Sequence, residues 1–550
     1  MAPSTTITKN SYTSLAQNEE LNLDLDPSGS LGTDSTVFPG QLHRRSHETV
    51  HPHYKNGATG KYQGQDAEDE FELETLNNLD YEVNIDGNGN SDNDEDGGLI
   101  HDSITNPFDS INDGTSNMKM AFMNMTNSIL GAGIIGQPLA FKNSGFLGGI
   151  LVMILLTVLI DWTLCLIVKN LILAQHSKSY QDTVNYCFGM WGKIVLLVAI
   201  SSFAYGGCMA FCVIIGDTIP HVLKAFIPEL ITSGSMLWLF QRNTIIVLFT
   251  ALISYPLSLN RDISKLAKAS AFALFGMLVI VVLTVARAPF ISPTLRGAIS
   301  THEWFFNYNI FQGISVISFA LVCHHNTMFI YNSMKNASLA KFTKLTHMSC
   351  MISMVFCMIM GLNGFLNFGN LTMGNILNNF KSTDNWINVA RFCFGLNMLT
   401  TFPLEIFVVR DVIKDILLTR KARRQEGVTS ASELELSTRQ HFFITTILVF
   451  SSMSVSLFTC NLGMILELIG ATSASLMAYI IPPMCYYRLS WMQIDWKTST
   501  SLERKRFILH KALPSVGCIV FGFAVMFISS AMTIRDALKN GDGNGHCVID

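Results

Sequence analysis

The chain has 550 residues, 49% of them hydrophobic and 14% charged, with a formal net charge of −4. Soluble globular proteins carry about 25% charged residues, so this composition excludes the string of ordinary soluble domains that the length would otherwise suggest. Residues 1–118 hold 22 acidic and 5 basic residues, leaving 19 and 32 of the totals 41 and 37, so a stretch of net −17 precedes a body of net +13.

Residues 1–117 read as a disordered, acidic, cytosolic tail. They are rich in Asp, Glu, Asn, Ser and Gly and lack apolar periodicity, so they cannot bury enough surface to offset the entropy of ordering. Asp92-Asn93-Asp94-Glu95-Asp96-Gly97 opens like a calcium-binding loop, but its twelfth position is Ser103 rather than Glu, which makes it a solvated acidic run. Tyr12-Thr13-Ser14-Leu15 fits a tyrosine-based sorting signal, a pattern short enough to recur by chance. The first apolar run starts near Met118, so an internal span rather than a signal peptide directs insertion.

Eleven apolar runs follow that are long enough to cross a hydrocarbon core, which takes about 20 residues. They cover 119–141, 146–168, 194–219, 243–259, 266–286, 309–331, 345–368, 387–409, 441–461, 463–486 and 512–534. A short C-terminal tail, 536–550, closes the chain. With a cytosolic N-terminus, the inner loops carry 22 basic residues and the opposite loops eight, in line with the preference of positive residues for the cytosolic side. The sequon at Asn370 then falls on the far side as a glycosylation candidate, and that at Asn336 falls in the cytosol. The twelve Cys form no CxxC pair and lie mostly inside apolar runs, where they serve as small packing residues. The cluster from Arg420 to Arg424 reads as a topology signal rather than a lipid site.

The first span is unlike a lipid-facing helix. Asn124, Asn127 and Ser128 share one face at i, i+3 and i+4, and Gly131, Gly133, Gly136 and Pro138 follow. Gly-rich sequence weakens a helix, and broken backbone at membrane depth is tolerated only where protein buries it or a cavity is lined by it. The alternative is tight helix packing through small residues. In the sixth span, Cys323-His324-His325-Asn326 places two His and an Asn at mid-span, which is costly and usually functional. A metal site is a poor fit, because adjacent His side chains point apart on a helix and no partner cluster is apparent. Interruptions in the first and sixth spans are what an inverted five-helix repeat places at its pseudo-symmetric site.

These residues carry a resemblance. The run 124–138, Cys323-His324-His325-Asn326, Thr400-Thr401-Phe402-Pro403 and Gly470-Ala471-Thr472-Ser473-Ala474 together resemble the amino acid/auxin permease family, over roughly 118–535. The chain is similar to fungal vacuolar amino acid transporters and to animal sodium-coupled neutral amino acid transporters. The resemblance implies an all-α membrane domain of eleven helices: two inverted five-helix repeats of the bacterial leucine-transporter type plus one. It implies that Asn127, with Thr400 or Thr401, matches the cation site of sodium-coupled members. It also implies that the substrate's amino and carboxylate groups meet the unwound backbone of Ile129, Leu130, Gly131, Ala132 and Gly133, with His324, His325 and Asn326 as its sixth-span counterparts. Thr400 and Thr401 are equally open to ordinary back-bonding to their own helix.

Glu405 and Glu467 are the further ion-coupling candidates, because a buried carboxyl can take and release a proton. Glu405 has Arg410 as an alternative partner, and Glu467 sits near a span end where water could reach it. Asp161 is deep in the second span with no named partner, and Gly206 is a small third-span residue outside the proposed site. The expected function is a secondary active transporter of neutral amino acids, coupled to protons rather than sodium, in the vacuolar membrane or else the endoplasmic reticulum or plasma membrane. The expected partners are the amino acid, the coupling ion and membrane lipid, with no cofactor and no nucleic acid. No Walker A run is present, so nothing indicates ATP hydrolysis, and the expected protein is a carrier rather than an enzyme. The rivals are a sensor that binds an amino acid without moving it, and a channel; rings of charge or carbonyls, which channels use, are not visible.

Overall fold

The computed structural model describes residues 114–539 except 175–176, 178, 227–236, 262–269, 423–435 and 460. The tail up to residue 113 with its calcium-like run and Tyr12 motif, Arg423, Arg424 and the residues beyond Lys539 lie outside the described residues. Every described element is helical apart from one isolated pairing of extended backbone, Ser116 with Met334.

In chain order the helices used below are α1 (Met118–Leu130), α2 (Gln137–Ser144), α3 (Phe146–Leu173), α4 (Tyr180–Phe226), α5 (Arg242–Phe249), α6 (Ser270–Arg287), α7 (Ile310–Leu321), α8 (Thr327–Ser333), α9 (Leu339–Phe368), α10 (Asn385–Ala422), α11 (Thr438–Phe458), α12 (Leu462–Ile469), α13 (Ile481–Met492) and α14 (Leu513–Lys539). Nine helical stretches among the described residues are long and apolar enough to cross a membrane. The two expected spans missing from that nine are the first, which is broken between α1 and α2, and the fourth, where α5 gives way to a wider turn at Thr250–Ser254.

Several helices begin before their apolar windows because polar caps extend them. Ser338 accepts from the Lys341 amide and starts α9 at Leu339 rather than 345, and Ser437 with Gln440 forms a capping box that starts α11. Each cap satisfies an amide that the first turn leaves open. α4 is two helices joined at Gly189, whose φ of 66° suits glycine. Buried hydroxyls return to their own helix, as Thr157 does to the Met153 carbonyl at 2.7 Å and Thr218 to Ile214 at 2.7 Å. No water is available there, so this keeps them paired.

Among the described residues three arginines are buried, Arg242, Arg391 and Arg410. Arg242 donates to Asp217 at 3.2 Å. Arg391, fully buried, donates to the carbonyls of Leu377, Phe380 and Lys381 and to Asn388 Oδ1, at 2.6–3.3 Å. It thereby holds the loop between α9 and α10 in one shape. Asp161 has a partner after all: His347 Nδ1 on α9.

The first span breaks at Gly131 (φ 25°, ψ −141°) and the sixth at Val322, which is extended between α7 and α8. The breaks lie against each other. A Cβ on Gly133 would stand 2.4 Å from Ala320 Cα, so only glycine permits this approach. Both interrupted spans therefore change direction at one depth, as an inverted repeat requires.

Candidate binding cavity

The α-helical ladder is lost where the chain unwinds, so backbone groups beside each break are released from i→i+4 pairing. Gln137 Nε2 donates to one of them, the Gly133 carbonyl, at 2.9 Å. The two breaks are joined by Asn326, whose Nδ2 donates to Ser128 Oγ at 2.8 Å and lies 2.9 Å from His325 Nε2. His325 Nε2 in turn is 3.6 Å from Glu405 Oε1 on α10, and its ring packs on Phe203 with centroids 5.1 Å apart. Glu405 Oε2 and His325 Nδ1 are buried without a partner among the described residues.

Around this chain of contacts lies a cavity of about 310 Å³. Asn124, Asn127, Ser128, Asn326, Thr401 and Glu405 form its polar side, and Ile200, Phe203, Phe211, Phe319 and Leu404 its apolar wall. No Lys or Arg is among the lining residues. The cavity reaches Asn124 near the start of α1, Tyr180 at the start of α4, Asn332 at the end of α8 and Asp411 on α10. All of these lie toward the face that carries most of the basic loops.

Of the expected site residues, Asn127, Ile129, Gly131, Ala132, Gly133, His325, Asn326, Thr401 and Glu405 line the cavity. The others are placed elsewhere. Leu130 is 1% exposed and packs in the apolar core behind the break. His324 is fully buried and turned away, with Nε2 2.9 Å from Thr163 Oγ1 on α3, since neighbouring side chains on a helical turn diverge. Thr400 returns its hydroxyl to the Asn397 carbonyl at 3.0 Å. Thr401 does so too, at 2.8 Å, while still facing the cavity. Glu405 does not pair with Arg410, which donates instead to Ser258 O, Thr445 Oγ1 and Asn260 O.

Glu467 lies outside the cavity and is buried, at 7% exposure. Its carboxylate accepts from Asn143 Nδ2 on α2 at 2.9 Å, Gln312 Nε2 on α7 at 3.3 Å and Thr533 Oγ1 on α14 at 3.1 Å. This cluster belongs to the closed face opposite the basic loops. There Lys142 donates to the Thr372 carbonyl at 3.1 Å, and Gly374 comes so near Gly463 that a Cβ would stand 2.5 Å from its nitrogen. The sequon residue Asn370 is exposed on this face, directly after α9, and accepts from the Ala298 amide at 3.0 Å, while Thr372 is buried.

The sequence signal for Gln137 is an amide inside an apolar run, four residues after Gly133, and that for Ser128 is only its place on a helix face. The partner of Ser128 on the other broken span, Asn326, is visible only in three dimensions.

The sequence model of the family described as "Transmembrane amino acid transporter protein" matches residues 114–535. Vacuolar amino acid transporter 2 of Saccharomyces cerevisiae is 46% identical over 506 residues, which is 90% of this chain and 99% of that protein. A Mus musculus protein with the provisional name sodium-coupled neutral amino acid transporter 11 is 33% identical over 378 residues, 68% of this chain and 79% of its own length. The crystal structure of MhsT in complex with L-phenylalanine superposes with a TM-score of 0.44 at 13% identity, covering 77% of this chain and 98% of that one. The chain belongs to the family of transmembrane amino acid transporter proteins.

Proposed function

We propose that this amino acid transporter is a proton-coupled secondary carrier of neutral amino acids in the vacuolar membrane, with its N-terminus in the cytosol. It works by alternating access, and the conformation described here faces the cytosol. The observation that carries the reading is the meeting of two broken helices across a cavity of about 310 Å³. Released amides suit a carboxylate and released carbonyls an ammonium group, so the backbone of Gly131, Ala132 and Gly133 takes the two ends common to all amino acids.

Neutral specificity is supported by the rest of the lining. The apolar wall of Phe203, Phe211 and Phe319 receives an uncharged side chain, and the lack of Lys or Arg leaves an acidic one unpaired, which is costly in a dry site. Proton coupling is supported by Glu405, a carboxylate facing the cavity with one oxygen unpartnered and His325 at 3.6 Å to share a proton. The vacuolar membrane is supported by the likeness to the yeast transporter, and the cytosolic opening by the basic loops on the side to which the cavity leads.

One observation favours a second reading. Asn127 and Thr401 line the same cavity, and a hydroxyl that donates to its helix still has lone pairs for a cation. Purified protein in vesicles separates the readings. Saturable uptake driven by an imposed pH gradient and unchanged when sodium is replaced is the expected result. Strict sodium dependence would establish the second reading, and binding without flux would make the protein a sensor.

A further inference from the structure

The mechanism so far leaves Glu467 unused, although it is among the most heavily bonded buried carboxylates in the protein. It lies where four helices meet on the closed face: α2 through Asn143, α7 through Gln312, α12 through itself and α14 through Thr533. α2 and α7 are the luminal halves of the two broken spans. A luminal opening must part these helices, and with them the bonds to Glu467.

We propose that Glu467 is a second proton-coupling position, a luminal latch that holds the outer gate shut while ionised and lets it open when it takes a proton from the lumen. This rests on the carrier reading above. All three partners are donors, which a carboxylate accepts and a carboxylic acid cannot accept in full. Oε1 has one donor, Asn143, while Oε2 has two, Gln312 and Thr533. The proton therefore goes to Oε1, facing Asn143. Either that bond is lost or the amide turns over to accept, and in both cases the charge-assisted strength of the tie to α2 disappears.

The buried carboxylate lies one side chain from an exposed one: Gln312 Nε2 also donates to Asp536 Oδ2 at 3.1 Å, and Asp536 is 34% exposed. Lys539 at the end of α14 is exposed, and Lys224 lies in the last turn of α4; four further charged groups on or near the facing elements are engaged. Lys142 on α2 donates to Thr372 O, Glu303 accepts from the Ser300 amide, Arg535 on α14 binds Asp536, and Asp217 on α4 is paired with Arg242. α7 presents only the neutral Gln312.

The test uses the full chain in vesicles with the luminal face outward and a reporter, Val316→Cys. Val316 is fully buried on α7 and faces Gly136 of the first span, as Leu466 of α12 does, and it is not among the cavity-lining residues. A membrane-impermeant thiol reagent is added outside, and the same protein without the reporter corrects for native cysteines. Labelling should be slow at neutral pH and about tenfold faster on acidification, the effect of losing one charge-assisted bond. Glu467→Gln should be fast at both pH values, and Glu467→Asp should keep the pH dependence. Asn143→Ala, which removes the donor and leaves the carboxylate, should raise the neutral rate and covers a Gln variant that fails to fold. A Gln variant that labels slowly at neutral pH and still accelerates with acid would overturn the proposal. Amino acid flux in the same vesicles separates the two claims. Flux that ignores the pH gradient while labelling follows Glu467 defeats only the coupling reading, and gradient-driven flux with labelling blind to Glu467 defeats only the latch.

Discussion

Asn326 ties one helix break to the other by a hydrogen bond to Ser128, so its removal has a calculable consequence. Asn326→Ala deletes the bond to Ser128 Oγ at 2.8 Å and the contact with His325 Nε2 at 2.9 Å. A neutral hydrogen bond contributes about 0.5–1.5 kcal/mol net, so the pair amounts to about 1–3 kcal/mol, or roughly 5- to 150-fold in affinity. Ser128→Ala removes only the shared bond and should weaken uptake by roughly 2- to 12-fold. Because both changes strike one bond, the double variant should fall short of additivity by about 1 kcal/mol. The assay is uptake of a panel of neutral amino acids into proteoliposomes, with KM and kcat normalised to folded protein. Wild-type KM in Asn326→Ala, or strict additivity in the double variant, would show that the bridge between the breaks does not shape the binding site.

Glu405→Gln keeps the shape of the cavity but removes its proton carrier. Accumulation against a gradient, which for one proton per substrate reaches about tenfold per pH unit, should vanish in vesicles held at zero potential, while exchange of amino acids across the membrane persists. Asn127→Ala should cut transport by about tenfold or more, as the loss of a cavity-lining amide offered to the substrate or ion implies, with near-normal abundance. The control is Gly517→Ala, since a Cβ there meets nothing within 4 Å, whereas Gly206, the control suggested by sequence, packs so tightly on Ile469 that a Cβ would stand 2.3 Å away. Arg391→Met should lower stability by about 3 kcal/mol or more, because three loop carbonyls lose a charged donor, and thermal unfolding in detergent reads this directly.

The spans and both breaks were legible in the sequence because each is a local property. Apolar length marks a membrane crossing whatever its neighbours, and Gly131-Ala132-Gly133 or His324-His325-Asn326 disturbs a helix from within. What is not local was not legible. His324 and His325 are adjacent and chemically alike, yet one turns to Thr163 and the other to Glu405, a choice made by α3 and α10. Thr400 and Thr401 divide in the same way. Glu467 could be marked as costly, but its three donors come from α2, α7 and α14, far apart along the chain. Arg391 carries no clear sequence signal, because inside an apolar run it resembles a misplaced loop residue. Its meaning depends on carbonyls that only the folded loop brings to it.

Arg391 and Glu467 also show how one closed face can be both firm and releasable. A carrier must pass between two states only a few kcal/mol apart, so the bonds that seal one side cannot all be permanent. Arginine stays charged at any pH the protein meets, and Arg391 is spent on the loop between α9 and α10, whose own shape need not change when the gate opens. The carboxylate of Glu467 sits where α2 and α7 have to separate, and a single proton alters every bond it makes. A guanidinium at position 467 could not be switched in this way, and a carboxylate at 391 could not hold three carbonyls. The two buried charges thus divide the closed face into a part that keeps its form and a part that yields.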